Sequence, residues 1–93
     1  MDIKQEDSGG KGCFYIDSDE KRLALLEYSI PEPGILIILH TEVDESLKGK
    51  NIGSRLIDSV AAYAREQKLR IRPACPFARA VLEKNKEKYA DLL

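Results

Sequence analysis

Val43-Asp44-Glu45-Ser46-Leu47-Lys48-Gly49-Lys50-Asn51-Ile52-Gly53-Ser54 joins a wholly apolar run to a segment of helical periodicity. Upstream, Ile35-Leu36-Ile37-Ile38-Leu39 is apolar at every position, which predicts a central strand covered on both faces. Downstream, Ile52, Leu56 and Val60 recur every fourth residue with Ile57, Ala61 and Ala64 beside them, so an amphipathic helix starts at about Asn51 and ends near Gln67. A helix start carries unpaired N–H groups and a partial positive charge, and a phosphate there meets several donors at once. Gly49 and Gly53 permit close backbone approach, Lys48 and Lys50 add positive charge, and Asn51 tolerates a left-handed backbone. The competing reading is plain: any strand-to-helix connection needs a glycine and some charge to reverse direction in water.

Outward from this loop the pattern stays that of one small α/β domain spanning residues 1–93. Cys13 to Ile16 and Leu23 to Ile30 read as an antiparallel hairpin around the polar cluster Asp17 to Lys21, which makes Cys13 a core residue. Pro31-Glu32-Pro33-Gly34 reverses the chain again before Ile35, giving a meander. Beyond the long helix, Leu69-Arg70-Ile71-Arg72-Pro73 alternates as a short strand. Pro76 suits the first turn of a second helix, with Phe77 and Val81 at one spacing, Ala78 and Leu82 alongside, and Asn85 at its close. Tyr89, Leu92 and Leu93 in the tail are expected to pack back on the core, and the lysines at 84, 86 and 88 to form a solvated face.

Fifteen basic against sixteen acidic residues leave a formal charge of -1, which argues against a chain whose work is neutralising a nucleic-acid backbone. Met1 to Gly12 is polar, without the apolar run of a secretory signal, and no stretch has the length of a membrane span, so the cytoplasm is the expected location. Cys13 and Cys75 lack the spacing of a disulfide framework or a zinc site and read as thiols.

Strand alternation puts His40 and Glu42 on one face at the polar end of the apolar strand. Both are candidate proton acceptors; His40 reads equally as a core imidazole bonded to backbone, and Glu42 as a solvated rim charge. Cys75 precedes Pro76 at a helix start, where the dipole favours thiolate over thiol, so it is a candidate nucleophile as well as a candidate helix cap. Tyr28, Tyr63 and Tyr89 read as packing residues, and no general acid is assigned.

The frame Lys48 to Gly53 resembles the pyrophosphate loop of the GNAT superfamily of N-acetyltransferases: Arg or Gln, two free positions, Gly, one free position, Gly or Ala. Lys48 stands where Arg or Gln is usual, and Asn51 where the central Gly is usual. His40-Thr41-Glu42-Val43 and Cys75-Pro76-Phe77 extend the resemblance to a minimal single-domain subfamily over nearly the whole chain. The resemblance implies a mixed, mostly antiparallel sheet of the α/β (α+β) class, splayed at its centre after Val43, with two main helices. It implies acetyl-coenzyme A as cofactor, its pantetheine arm lying in the splay against the backbone near Val43. The amides of Lys48, Gly49, Lys50, Asn51, Ile52, Gly53 and Ser54 would hold the pyrophosphate. The implied activity is acetyl transfer to an unidentified amine, with Cys75, His40 and Glu42 as the candidate acting residues. The alternative is a coenzyme A-binding or protein-interaction module without efficient catalysis.

Overall fold

In the computed structural model, which describes residues 2–93, five strands form one sheet in the order of the chain: β1 (Lys4–Ser8), β2 (Lys11–Asp17), β3 (Arg22–Glu32), β4 (Ile35–Val43) and β5 (Arg70–Pro73). The first three pairings are antiparallel, and β5 joins β4 in parallel. A parallel partner needs a crossover, and α1 (Ile52–Gln67) supplies it; α2 (Pro76–Lys84) follows β5. The α+β sheet with two helices expected from the sequence is therefore present.

Each turn has a local cause. Gly9 and Gly10, at φ 57° and 87°, supply the left-handed pair that a two-residue hairpin requires between β1 and β2. Between β2 and β3 the Ser18 hydroxyl accepts from the amides of Glu20 and Lys21 at 3.3 and 3.1 Å. Such a hydroxyl-closed turn substitutes for ladder bonds where the strands part. β1 itself lies outside the sequence reading: Lys-Gln-Glu-Asp-Ser has no apolar alternation, and every residue of it is exposed.

The core lies on one face of the sheet. Phe14, Ile16, Ala24, Leu26, Tyr28, Leu36, Ile38 and Ile71 point into it from alternate strand positions, against Leu56, Ile57, Val60, Ala61 and Ala64 of α1 and Ala78 and Leu82 of α2. Leu56, Ile57 and Val60 are fully buried, and truncating Leu56 to Ala would cost about 2–5 kcal/mol. The shortest molecular axis, 20 Å, is the thickness of one sheet and one helical layer. This corrects two expectations. β4 is covered on one face rather than both, with Ile35 and Ile37 half-buried and Leu39 45% exposed. Cys13 is half-buried beside the exposed Glu27 on the uncovered face, not a core residue, because the apolar run of β2 contributes Phe14 and Ile16 to the core and leaves its odd positions outside. Burial pushes the Cys13 thiol pKa up.

Tyr28 fastens the otherwise polar β1. Its hydroxyl accepts from Gln5 Nε2 at 2.8 Å and donates to Asp7 Oδ2 at 3.1 Å, while Tyr63 of α1 donates to the same oxygen at 3.0 Å. The tail behaves as expected for Tyr89 and Leu92, which are buried, whereas Leu93 stays 41% exposed. Leu92 also does something unforeseen: its carbonyl accepts from the Ile71 amide at 2.8 Å, on the free side of β5.

Candidate functional site

Two irregularities in β4 build the site. Pairing with β3 passes from Tyr28↔Ile38 to Glu27↔His40, so Leu39 is an extra residue in the ladder. A bulge of this kind shifts the alternation by one position. Leu36 and Ile38 face the core; beyond the bulge Thr41 takes that side, opposite Leu26, and His40 and Glu42 turn to the uncovered face, opposite Glu27 and Leu25. At the same point β5 leaves. Its last partner is Ile38, paired with Pro73, after which the Ala74 amide still reaches Ile38 O at 2.9 Å. From Leu39 to Val43 the strand has β3 on one side and no strand on the other. The sheet thus splays between β4 and β5, and the opening begins at Ile38 rather than after Val43, because Pro73 and the turn into α2 end β5 there.

Cys75 sits at the mouth of this opening. It is the N-cap of α2, its Sγ accepting from the Ala78 amide at 3.3 Å, and it lies 3.5 Å from Thr41 Oγ1 with 7% of its surface exposed. The helix-cap reading of this residue is what the structure shows, and the thiol also borders the cleft. His40 Nε2 lies 3.2 Å from Glu42 Oε1, and the two side chains are 51% and 66% exposed. The core-imidazole reading of His40 is therefore wrong, and the bulge is the reason. The structure brings His40 to Glu42 but separates both from Cys75, which lies on the opposite side of β4. Thr41 was missed in the sequence; only the bulge reveals which face it occupies.

The loop runs from Asp44 into α1. Asp44 accepts from the Ser46 hydroxyl at 2.6 Å and the Ser46 amide at 3.0 Å, and pairs with Lys21 at 3.0 Å. These contacts pull its carboxyl pKa down to about 2, the Ser46 hydroxyl contributing most. A short 3-10 turn, Glu45–Leu47, follows, anchored by Leu47 at 4% exposure. Val43 is 37% exposed, and Lys48, Gly49, Lys50 and Asn51 are exposed. Gly49 adopts φ 81° with open space where a side chain would stand, and Asn51 adopts the left-handed conformation at φ 57°.

Asn51 makes no side-chain cap bond. The first helical bond runs from the Arg55 amide to Asn51 O at 3.1 Å, so the amides of Ile52, Gly53 and Ser54 have no helical acceptor. The first turn of α1 contains no acidic residue, although acids are the usual occupants of that position. Lys48 and Lys50 flank it, with no ion pair to either among the described residues. Free donors, local cations and open space over Gly49 together suit a diphosphate. Gly53 has a further cause that its sequence position does not show. A Cβ there would run into Cζ of Phe77 and lie 2.8 Å from its Cε2. It is the Phe77 ring that comes close to this backbone, and Phe77, 44% exposed, is a second site residue that sequence reading left as helix packing.

The sequence of residues 13–92 matches the family described as GCN5-related N-acetyl-transferase. A GCN5-like protein from Staphylococcus aureus, solved in solution by NMR, is 35% identical, with a TM-score of 0.76 over 98% of this chain and 85% of that one. The ribosomal-protein-alanine N-acetyltransferase of Brucella melitensis biovar Abortus 2308 shares the fold at 21% identity and a TM-score of 0.65, over 81% of this chain and 62% of its own. Aminoglycoside N-acetyltransferase AAC(6')-Iy, solved with CoA, shares it at 11% identity and a TM-score of 0.68, over 89% and 88%. No curated protein gives a significant sequence match. With the family matched over most of its length, the chain belongs to the GCN5-related N-acetyltransferases.

Proposed function

We propose that this protein binds acetyl-coenzyme A with the pyrophosphate on the first turn of α1 and the pantetheine arm in the opening between β4 and β5, and transfers the acetyl group to an amine. The observation that carries this reading is the juxtaposition of an uncapped helix start lacking acid, at Ile52 to Ser54, with a strand left unpaired from Leu39 to Val43. The amides of Gly49 and of Asn51 to Ser54 would grip the phosphates, with Lys48 and Lys50 adding side-chain charge, since their own amides are taken by Glu45 O at 3.0 Å and Leu47 O at 3.3 Å; the backbone around Val43 would bind the arm as an added strand would. The bound thioester supplies an activated acetyl group.

His40 and Glu42 stand on the uncovered face, where an amine has free access. An open cavity of about 560 Å³, lined by Leu23, Leu25, Glu42 and Val43 among others, opens at Glu42. The attacking nitrogen forms its bond to the carbonyl carbon, the C–S bond breaks, and the proton shed by nitrogen goes to the His40–Glu42 pair. The departing sulfur leaves on the side of Thr41 and Cys75. A second route is favoured by the Thr41–Cys75 contact at that mouth: the Cys75 sulfur would bond to the carbonyl carbon as the C–S bond to coenzyme A breaks, the thiol proton passing to the departing coenzyme A sulfur, and the amine would then displace the Cys75 sulfur from the acetyl group.

Binding without efficient turnover is the alternative reading, favoured by the exposure of His40 and Glu42, over which no element packs among the described residues. An amide-shift titration with acetyl-coenzyme A tests the site: shifts are expected at Gly49 to Ser54 and at Leu39 to Val43, and their absence would remove the proposal. Release of free coenzyme A with a panel of amines then separates enzyme from binding module. The cytoplasm remains the location we propose; no helix among the described residues is long and apolar enough to cross a membrane.

A further inference from the structure

Resting on the cofactor reading above, we propose that Phe77 is a ligand-selecting residue that recognises the branched aliphatic pantoate carbons of the cofactor, and so separates pantetheine-bearing nucleotides from plain ones. The observation is spatial order. Phe77 is the second residue of α2, two positions beyond Cys75 at the mouth of the β4–β5 opening, and the far end of its ring lies against Gly53 in the first turn of α1. It therefore stands between the place assigned to the thioester and the place assigned to the phosphates. In coenzyme A the group between those two points, next to the pyrophosphate, is a quaternary carbon bearing two methyls. The adenosine lies beyond the phosphates, on the side away from Cys75.

A Phe side chain with 44% of its surface in water, in a chain that buries its other phenylalanine to 6%, is an exposed apolar surface set beside an anion-binding turn. The ring also rests on backbone. Its Cζ occupies the space a Cβ on Gly53 would need, and the preceding Cys75 and Pro76 fix the start of α2 by a thiol cap and a locked φ. An apolar surface already seated on backbone loses less freedom when a ligand covers it than a free side chain would, so more of its contact carries through to affinity. Phosphates alone would gain nothing from a phenyl ring at this position, whereas two methyl groups would.

The test measures binding of coenzyme A and of adenosine 3′,5′-bisphosphate, which lacks the pantetheine arm, to wild type, Phe77→Ala and Phe77→Leu by calorimetry, with amide spectra reporting fold and site. Phe77→Ala is expected to weaken coenzyme A about tenfold, with Phe77→Leu intermediate. The bisphosphate should bind all three alike. Equal affinities of wild type and both variants for coenzyme A, or a parallel loss for the two ligands, overturn the role of Phe77 while leaving the cofactor site intact. If wild type itself gives no coenzyme A shifts at Gly49 to Ser54, the cofactor reading fails and this inference with it. Should Phe77→Ala lose the spectrum of the native fold, Phe77→Leu decides by the same comparison of ligands.

Discussion

Thr41 Oγ1 and Cys75 Sγ meet at 3.5 Å where β4 and β5 separate, a contact created by the extra residue at Leu39, which turns Thr41 toward the core side. Through it the end of one strand and the start of the last helix share a wall of the same cleft.

Cys75 has a structural duty that any test of its chemistry must preserve. Replacing it by Ala removes the cap of the Ala78 amide and should lower stability by about 0.5–1 kcal/mol, while Cys75→Ser restores an acceptor. Under direct transfer to the amine, Cys75→Ser keeps its rate of coenzyme A release. A drop of about a hundredfold or more with unchanged cofactor binding would move the chemistry onto the thiol.

His40 and Glu42 are exposed, so their removal should leave the melting temperature nearly unchanged. His40→Ala and Glu42→Gln are each expected to slow acetyl transfer by about 10²-fold without altering the dissociation constant for acetyl-coenzyme A. Weaker cofactor binding in step with the lost rate would show that these side chains serve the cofactor rather than the proton.

Gly49→Ala forces a Cβ into a left-handed backbone at φ 81°, although the space around it is open. The expected result is a loss of about 1 kcal/mol in unfolding free energy and, if the proposed site is right, weaker cofactor binding, because the turn before α1 is strained. Gly53→Ala should act differently, displacing Phe77, which fluorescence-independent readouts such as ring chemical shifts would report.

Asp44 gives a pH test. Its carboxyl pKa falls from 3.8 to about 2 through Ser46 and Lys21, so the folded state favours the ionised form. The stabilisation is then complete above the unfolded value of 3.8 and is lost as pH falls through about 2. Asp44→Asn should unfold more easily than wild type at neutral pH, with the difference shrinking between pH 4 and pH 2. A constant difference across that window would mean that the charge of Asp44 is not involved.

What the sequence discloses is what single residues dictate locally. The helix from Ile52 to Gln67, Pro76 at the start of α2 and the left-handed tendency of Asn51 are properties of short segments, and each appears as read. The departures arise where a partner decides. Leu39 becomes a bulge only through its pairing with β3, so neither the exposure of His40 nor the face of Thr41 is visible in an alternating apolar pattern. β1 is held by ladder bonds and by the contacts of its polar Gln5 and Asp7 with Tyr28, not by apolar side chains of its own; the one local signal of it is Gly9-Gly10, the pair a tight hairpin needs. Gly53 also answers to Phe77, a residue more than twenty positions away, which its motif does not reveal.

The bond from the Ile71 amide to Leu92 O reaches past the site to the behaviour of the protein in solution. A sheet margin with bare amides invites a neighbouring chain to extend the ladder, the route by which folded proteins zip into fibres. Here Pro73 lacks an amide, Ile71 has given its own to the tail, and the opposite margin displays Lys4, Glu6 and Asp7. Trimming Leu92 and Leu93 would undo that closure, and turbidity on standing would rise.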